Sequence, residues 1–521
     1  MKTLVRFSVL TFVALGLFSC APTRPVALAT VEPTAVEPSP TPASYPSPLE
    51  GRAVLTYYFY WYDARTGAHL APYGQVPGLS LTDHPAGRTA PNWRRPAWHL
   101  EQLKDAVEAR IDALLPVYWP GDLDWANGGL GALAKALELL RHSGTTPPAV
   151  GMFFDTTPLR GMDLRTIEAR DYVYEGIHYF FSTIPRQYWA MVDGNRPVIW
   201  FYSGNFPTDY DKRFFNDIHS RFEQDFGLRP FLVMDEDWNC QRLPNQGDGF
   251  CDATYAWGGA ISPAFSPQVA AIGPGYDERG LPDRTKALHV DRRNGTTYEN
   301  GLVKAMKCGQ PWLAIETWNE YHEGTEIADS LEYGRQYIEL TRQIAGIFKS
   351  GLLPLDQRIE TAYTDARSVA FLAGSTSQHG LTLVPDTGEG TYGSAIIDGK
   401  HAVTSEKPAT DAHAYRLSFQ VDDGFYFAQK RSVVLRVDYF DEGKDPIMLE
   451  YDGAPCRDNS GEAGFRQVLL AEREGSNTWR TAELALDEAT FASQGSTPDF
   501  RLVTEKTALA VHLVRVADAT P

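Results

Sequence analysis

Short apolar runs rich in β-branched and aromatic residues recur through the first two thirds of the chain, at 54–61, 114–118, 150–154, 198–202, 231–234, 253–257, 269–272 and 313–317. Between or after most of them, apolar positions return every three to four residues. That spacing predicts helices over 98–110, 130–141, 167–189, 211–226, 298–307 and 331–348. Strands alternating with helices argue for a parallel sheet. Eight such strands within residues 50–350 predict an α/β fold, a closed (β/α)8 TIM barrel. The sixth and seventh strands carry the weakest signal, and an open doubly wound sheet is the alternative. No glycine-rich phosphate loop opens a helix, which counts against that alternative and against a nucleotide cofactor. After residue 349 the period changes. Residues 352–362 read as a connector. Segments such as AYRLSFQVDD, SVVLRVDYFD, IMLEYDG, RQVLLAE and LAVHLVRV then alternate strand by strand, with Gly and Asp between them. Residues 351–521 are therefore expected to form an antiparallel β-sandwich.

The N-terminus has a different character. Lys2 and Arg6 precede an apolar run at 7–18, too short to span a bilayer but of the length of a secretory signal. It ends LFSC, which resembles a bacterial lipobox. Residues 1–20 are thus expected to be a lipoprotein signal with Cys20 acylated; a plain secretory signal is the alternative. Residues 21–49 are Pro, Thr, Ser and Ala-rich and read as an extended tether. The expected location is the bacterial cell envelope, with the chain attached to the membrane through its lipid. Export makes disulfides plausible. The polar loop NCQRLPNQGDGFC is expected to be clipped between Cys240 and Cys251, or to carry two free thiols. Cys308 and Cys456, far apart in sequence, read as buried singletons. No Cys/His grouping suggests a metal.

Composition narrows the partners. The 521 residues hold 48 Lys plus Arg against 66 Asp plus Glu, a net charge of −18, which excludes nucleic acid as the main partner. A charged fraction of 22% with 43% hydrophobic residues excludes a disordered or fibrous chain. The 12 Trp and 25 Tyr suit either an aromatic core or the stacking of sugar rings.

In a barrel of this kind, chemistry sits where strands end. The residues there are Tyr60, Trp61 and Asp63 after the first strand, Trp119 and Asp122 after the second, Asp155 after the third and Tyr202 after the fourth. They continue with Asp235, Glu236 and Asp237, then Trp257, then Tyr276 and Asp277. The eighth strand is followed by Trp318, Asn319, Glu320, His322 and Glu323. A rim of carboxylates and rings is what an oligosaccharide cleft requires, although each member singly reads as well as a loop acid or a packing ring. The densest segment is PWLAIETWNEYHEGTEIADS. Glu320 and Glu323, three apart, share one face of a turn or a first helical turn. Two acids held close disfavour double ionisation, so the pair can supply an acid and a base. Glycoside hydrolysis needs that division. A helix N-terminus would also favour acids, but does not account for Trp318, Asn319 and His322 beside them.

WNEYHEGTEI resembles the WNEWHEGTxIE signature of glycoside hydrolase family 99 and the WbsX-like group, which contains endo-α-mannosidases. GPGYDE, RRNGTTYENGLVKA and the later Gly334 and Tyr337 are similar to further segments of that group, in the same order. The opening YYFYWYD resembles related bacterial domains of unknown function. The resemblance implies a barrel, no cofactor, a polysaccharide or oligosaccharide substrate, and catalytic carboxylates at Glu320 and Glu323. In the mannosidases the first acts as base on the substrate's own 2-hydroxyl, the sugar passes through a 1,2-anhydro intermediate with overall retention, and the second acts as general acid and then base. Tyr276, Asn319 and His322 would line the site. The chain departs from the pattern where the third strand ends in FFDTTPL instead of an HIEPY-like segment. Glu316 stands in place of a small residue, Tyr321 in place of the second Trp, and Ala328-Asp329 in place of Glu-Pro. Those changes put mannose specificity in doubt. The C-terminal runs resemble jelly-roll modules of carbohydrate-active enzymes, with Tyr426, Tyr439 and Trp479 as candidate binding rings; a purely structural companion is the alternative. Asp422, Asp423 and Asp441 have the chemistry for a Ca²⁺ site, but none is expected. A non-catalytic glycan-binding lipoprotein and a WbsX-like envelope polysaccharide-processing protein remain alternatives to the hydrolase.

Overall fold

The computed structural model describes residues 49–519, apart from 77–79, 122, 239–249, 283, 378, 385–390, 407–413, 430, 454–455, 457–464 and 493–497. The lipidation site Cys20, the tether, Asp122 and Cys240 lie outside the described residues. Eight strands form the barrel: β1 (Ala53–Tyr58), β2 (Ala113–Tyr118), β3 (Met152–Phe154), β4 (Arg196–Phe201), β5 (Phe231–Asp235), β6 (Ala253–Tyr255), β7 (Val269–Ile272) and β8 (Trp312–Ile315). Their order is β6-β5-β4-β3-β2-β1-β8-β7, with every neighbouring pair in it parallel. The expected TIM barrel is present, and the two weakest strands are real. The seam between β6 and β7 is closed by proximity, without a ladder among the described residues.

Six helices wrap the barrel: α1 (Pro96–Glu108), α2 (Asp124–His142), α3 (Ile167–Thr183), α4 (Lys212–Phe226), α5 (Thr296–Cys308) and α6 (Gln336–Ser350). Their limits follow local chemistry. The Asp211 side chain accepts from the Arg213 amide at 2.8 Å and starts α4, and Gly227, at φ 68°, ends it. The helix expected over 167–189 stops at Thr183, because Pro185 forces the preceding Ile184 into an extended conformation. The helix expected from 331 starts at Gln336, because Ser330 and Gly334 bridge to each other first.

Strand periodicity sorts the aromatic residues of β1 and its extension. Tyr57 points inward, its ring 4.9 Å from Phe153 and 4.8 Å from Trp257. Tyr58 and Tyr60 point outward: Tyr58 hydrogen-bonds His99 of α1 at 2.8 Å, and the Tyr60 hydroxyl donates to the Ala126 carbonyl of α2 at 3.1 Å. Much of the aromatic content is therefore core, with Tyr57 and Phe153, Tyr57 and Trp200, and Phe153 and Tyr255 packed edge to face and Trp200 tilted on Tyr255 inside the barrel.

The C-terminal region is the expected β-sandwich. One sheet runs Thr391–Ile397, Lys400–Glu406, Ala510–Asp518, Val433–Phe440 and Trp479–Leu486, with Ser368–Leu372 also on Ala510–Asp518. The other runs Leu381–Val384, Tyr415–Val421, Phe500–Thr504, Ile447–Asp452 and Phe465–Ala471. The sandwich docks on α5. Lys304 pairs with Asp423, and Asn300 exchanges hydrogen bonds with the Glu360 backbone at 2.9 and 2.7 Å. Cys308 is bonded to Cys456 with Cα atoms 5.2 Å apart. This corrects the expectation of two isolated thiols: cysteines 148 residues apart meet because the sandwich folds back onto α5. Cys251 is also disulfide-bonded. Tyr426 and Tyr439 are buried, and the Tyr426 hydroxyl donates to the carbonyls of Arg431 and Ala489 at 2.8 and 2.9 Å, so neither ring is a binding platform. Trp479 is half-buried. The three aspartates are spent on protein donors: Asp422 on Thr361 and the Gly424 amide, Asp423 on Lys304, and Asp441 on the amides of the 474–476 turn.

Candidate active site

After β8 the chain does not enter a helix. Residues 317–328 fold back on themselves. The Thr317 amide donates to Thr325 O at 2.9 Å, Ile327 N to Thr317 O at 3.1 Å and Ala328 N to Trp318 O at 2.8 Å. The tip, 321–324, is a turn that carries Glu323, with Glu320 immediately before it. Gly324 adopts φ 55°, and a Cβ there would lie 3.2 Å from both Asp83 and Thr82 side-chain atoms, so the tight tip requires glycine. Arg292 clasps the turn from behind. Its guanidinium donates to the Gly324 and Glu326 carbonyls at 3.0 and 2.8 Å and pairs with Glu326 at 2.7 Å and Asp83 at 3.3 Å. Its face lies 4.2 Å from the Tyr333 ring centre and 4.5 Å from that of Tyr337.

Glu320 and Glu323 are 4% and 7% exposed. Burial pushes both carboxyls up to about 8, and for Glu323 the neighbouring Glu320 charge adds to the rise. A carboxyl that titrates near 8 can hold or release its proton close to neutral pH, which general acid and general base catalysis both need. Glu320 Oε1 accepts the His322 amide at 3.0 Å and is in hydrogen-bond contact with His322 Nδ1. Burial pulls the His322 imidazole down to about 3, so it is neutral and able to share one proton with Glu320 without adding charge. Tyr276 hydrogen-bonds Glu278 at 3.0 Å, and its hydroxyl lies in the fields of Glu323 and Glu278. Glu278 is in turn paired with Arg284 at 2.9 Å.

Other expected site residues gather around this pair. Trp61 lies 5.8 Å from His322, and Trp119 packs on Trp61 at 6.2 Å. Tyr202 lies in the fields of Asp155, Asp235, Glu323 and Asp237, and Trp257 packs on Tyr202 at 5.4 Å. Burial pushes the Asp155 carboxyl up, partly offset by the Thr157 amide it accepts at 2.8 Å.

Three expected ligand contacts have their polar groups committed to the protein. Tyr60 faces α2 by strand alternation. Trp318 donates to Gln102 of α1 at 2.8 Å. Asn319 exchanges both amide hydrogen bonds with the Phe59 backbone, at 2.8 and 2.7 Å, and so pins the loop to the end of β1. Asp63 and Asp237 are likewise structural anchors, the first for Asn92 and Arg94, the second for Ser203 and Gly204. Sequence reasoning missed His69, whose ring stacks on Trp61 at 4.6 Å and meets His322 edge-on at 5.4 Å; nothing in its sequence surroundings marks it.

A curated relative, glycoprotein endo-alpha-1,2-mannosidase of Mus musculus, is 30% identical over 89 residues, 14% of this chain and 19% of that protein. The chain thus spans about a fifth of the length of that relative. The resemblance to family 99 noted in the sequence holds in this match. Solved structures similar to the chain include the family 99 endo-alpha-mannosidase from Bacteroides thetaiotaomicron, at TM-score 0.42 and 15% identity, covering 58% of this chain and 98% of that one. Another is an alpha-L-fucosidase from Vibrio sp. strain EJY3, at TM-score 0.36 and 9% identity, covering 90% of this chain and 97% of that one. The family model described as "Domain of unknown function (DUF5010)" matches residues 56–365, more than half of the sequence, and the chain belongs to that family.

Proposed function

We propose that the protein is an exported glycoside hydrolase that cleaves glycosidic bonds in a polysaccharide or oligosaccharide with retention, and that a lipid on Cys20 holds it at the cell envelope. The observation that carries the reading is the pair Glu320 and Glu323. They are two buried carboxyls three residues apart, one just before a turn and one within it, each pushed up to about 8, beyond the C-terminal end of the last barrel strand. By analogy with the mannosidases, Glu320, oriented by His322, takes the proton of the sugar's 2-hydroxyl. The 2-oxygen closes on C1 while the leaving oxygen departs with the proton of Glu323, giving a 1,2-anhydro sugar. Glu323, now a carboxylate, takes a proton from water as the water oxygen attacks C1. The epoxide opens, and its oxygen recovers the proton from Glu320. Two inversions at C1 give retention. Trp119 and Trp257, partly exposed, supply apolar faces for the pyranose rings, while Trp61, covered by His69, backs them. The departures at Asp155-Thr156-Thr157 and Tyr321 keep mannose open as the sugar.

The test is hydrolysis of a panel of α-mannans and other defined glycans by the parent, Glu320→Gln and Glu323→Gln. Each variant is expected to lose at least about 100-fold in kcat. Turnover equal to the parent's would remove catalysis from this site and leave a glycan-binding protein.

A further inference from the structure

The imidazole that holds Glu320 has a second nitrogen. Glu320 Oε1 accepts the His322 amide at 3.0 Å and meets Nδ1 of the same residue. An oxygen that already takes one N–H is placed to take another. Oε2 is then the oxygen left to trade protons, whether the carboxyl is ionised or not, and Nδ1 carries the imidazole hydrogen. The ring is neutral, because burial pulls it down to about 3. A neutral imidazole with its hydrogen on Nδ1 leaves a bare lone pair on Nε2. That atom is buried and has no hydrogen-bond partner among the described residues. A buried acceptor left unpaired is costly, so a donor is called for.

Three rings pack on His322. Tyr62 stacks on it with centres 5.7 Å apart, but its hydroxyl donates to the Asn319 carbonyl at 2.9 Å and accepts the Tyr321 amide at 3.2 Å. Trp61 stands edge-on at 5.8 Å; its indole N–H, which completes no hydrogen bond, lies toward the Tyr62 hydroxyl. His69 stands edge-on at 5.4 Å, and its Nδ1 is buried without a partner among the described residues. Burial pulls this imidazole down to about 3 as well, so it is neutral and has one hydrogen to place. The loop after β1 is shaped to bring it there. Asp63 N donates to Ala68 O at 3.1 Å and Gly67 N to Asp63 O at 2.8 Å, which turns the chain back on itself. His69 then adopts φ 56°, a region few residues other than glycine enter, and its ring lies flat on Trp61, 7° between planes and 4.6 Å between centres.

We propose that His69 is a positioning residue of the active site: its Nδ1–H serves Nε2 of His322, fixes the tautomer with hydrogen on Nδ1, and so holds Glu320 Oε1 while Oε2 is left to the sugar's 2-hydroxyl. The inference rests on the Glu320/Glu323 reading.

His69→Phe keeps a ring on Trp61 and removes the hydrogen. In the hydrolase assay kcat is expected to fall about 10-fold with KM within about twofold of the parent, because the loss reaches the substrate only through the base. His69→Asn, whose amide N–H can stand where Nδ1–H stood and which tolerates φ 56°, is expected to keep kcat within about threefold. The double variant His69→Phe/His322→Ala should lose no more than His322→Ala alone. Parent-level kcat in His69→Phe, a change confined to KM, or fully additive losses in the double variant each overturn the proposal. A second measurement needs no turnover and is made on the parent. In ¹⁵N-imidazole spectra, with His69 and His322 assigned by their loss in His69→Asn and His322→Ala, hydrogen is expected on Nδ1 of both rings, with both Nε2 atoms bare. Hydrogen on Nε2 of either ring overturns the proposal. Undiminished hydrolysis by Glu320→Gln and Glu323→Gln would instead sink the hydrolase reading, whichever nitrogens carry hydrogen.

Discussion

Replacing Arg292 by Met tests whether the turn that bears Glu323 is held by the clasp behind it. Arg292 is 6% exposed and carries the compensating charge for two buried carboxyls, Glu326 and Asp83, while donating to two carbonyls of the turn. Met fills most of the space between Tyr333 and Tyr337 but leaves both acids without a counter-charge. Breaking a buried pair by removing one partner costs about 3–5 kcal/mol. For a domain the size of this barrel that is roughly 5–15 °C in the melting temperature, read as the barrel transition in scanning calorimetry. The pH dependence supplies the sharper test. Burial already raises both carboxyls in the parent, with Arg292 as the chief opposing influence, so the variant raises them further. A group with a raised folded pKa stabilises fully below its unfolded value and loses that contribution as pH climbs through the folded one. The deficit of Arg292→Met should therefore be small near pH 4 and grow toward pH 8. Adding Glu326→Gln should recover part of it at pH 8. A melting temperature within about 2 °C of the parent at pH 8, or an equal deficit at both pH values, would refute the account.

With the glutamate pair titrating near 8, hydrolysis is expected to decline above about pH 8, as Glu323 loses its proton, and a rate still rising through pH 9 would contradict the assignment. His322→Ala frees the Glu320 carboxyl to rotate and should lower kcat roughly 10- to 100-fold with little change in melting temperature, measured on the substrate found in the glycan screen. Reducing the Cys308–Cys456 bond, or replacing both residues by Ser, should cost about 2–4 kcal/mol, seen as an earlier melting transition, and an unchanged melt on reduction would refute it.

The barrel was legible because each strand buries both faces, so parallel strands read as continuous apolar runs, and this held even for β6, three residues long. Helix ends were legible where a cap marks them, as at Asp211, but the end of α3 was overrun to 189 although Pro185 stops it at Thr183. At residue 331 nothing local announces that Ser330 and Gly334 will pair before the helix begins. The Cys308–Cys456 bond was not legible at all, since it depends on how the sandwich docks on α5, and docking leaves no periodic trace in the chain. The same division explains the site. Glu320 and Glu323 stand out because two acids, an imidazole and a tryptophan after an apolar strand are improbable as packing. Trp318 and Asn319 belong to the same signature but do different work: one anchors to Gln102 and the other to the Phe59 backbone. A motif therefore mixes groups that touch ligand with groups that fix the turn, and side-chain bookkeeping separates them. That separation also places Glu316, whose carboxyl accepts the Gly258 and Ala260 amides of the loop after β6. Burial pushes its carboxyl up to about 8, partly offset by the amides it accepts, so its visible work is to tie the end of β8 to the loop after β6 at the barrel's unladdered seam.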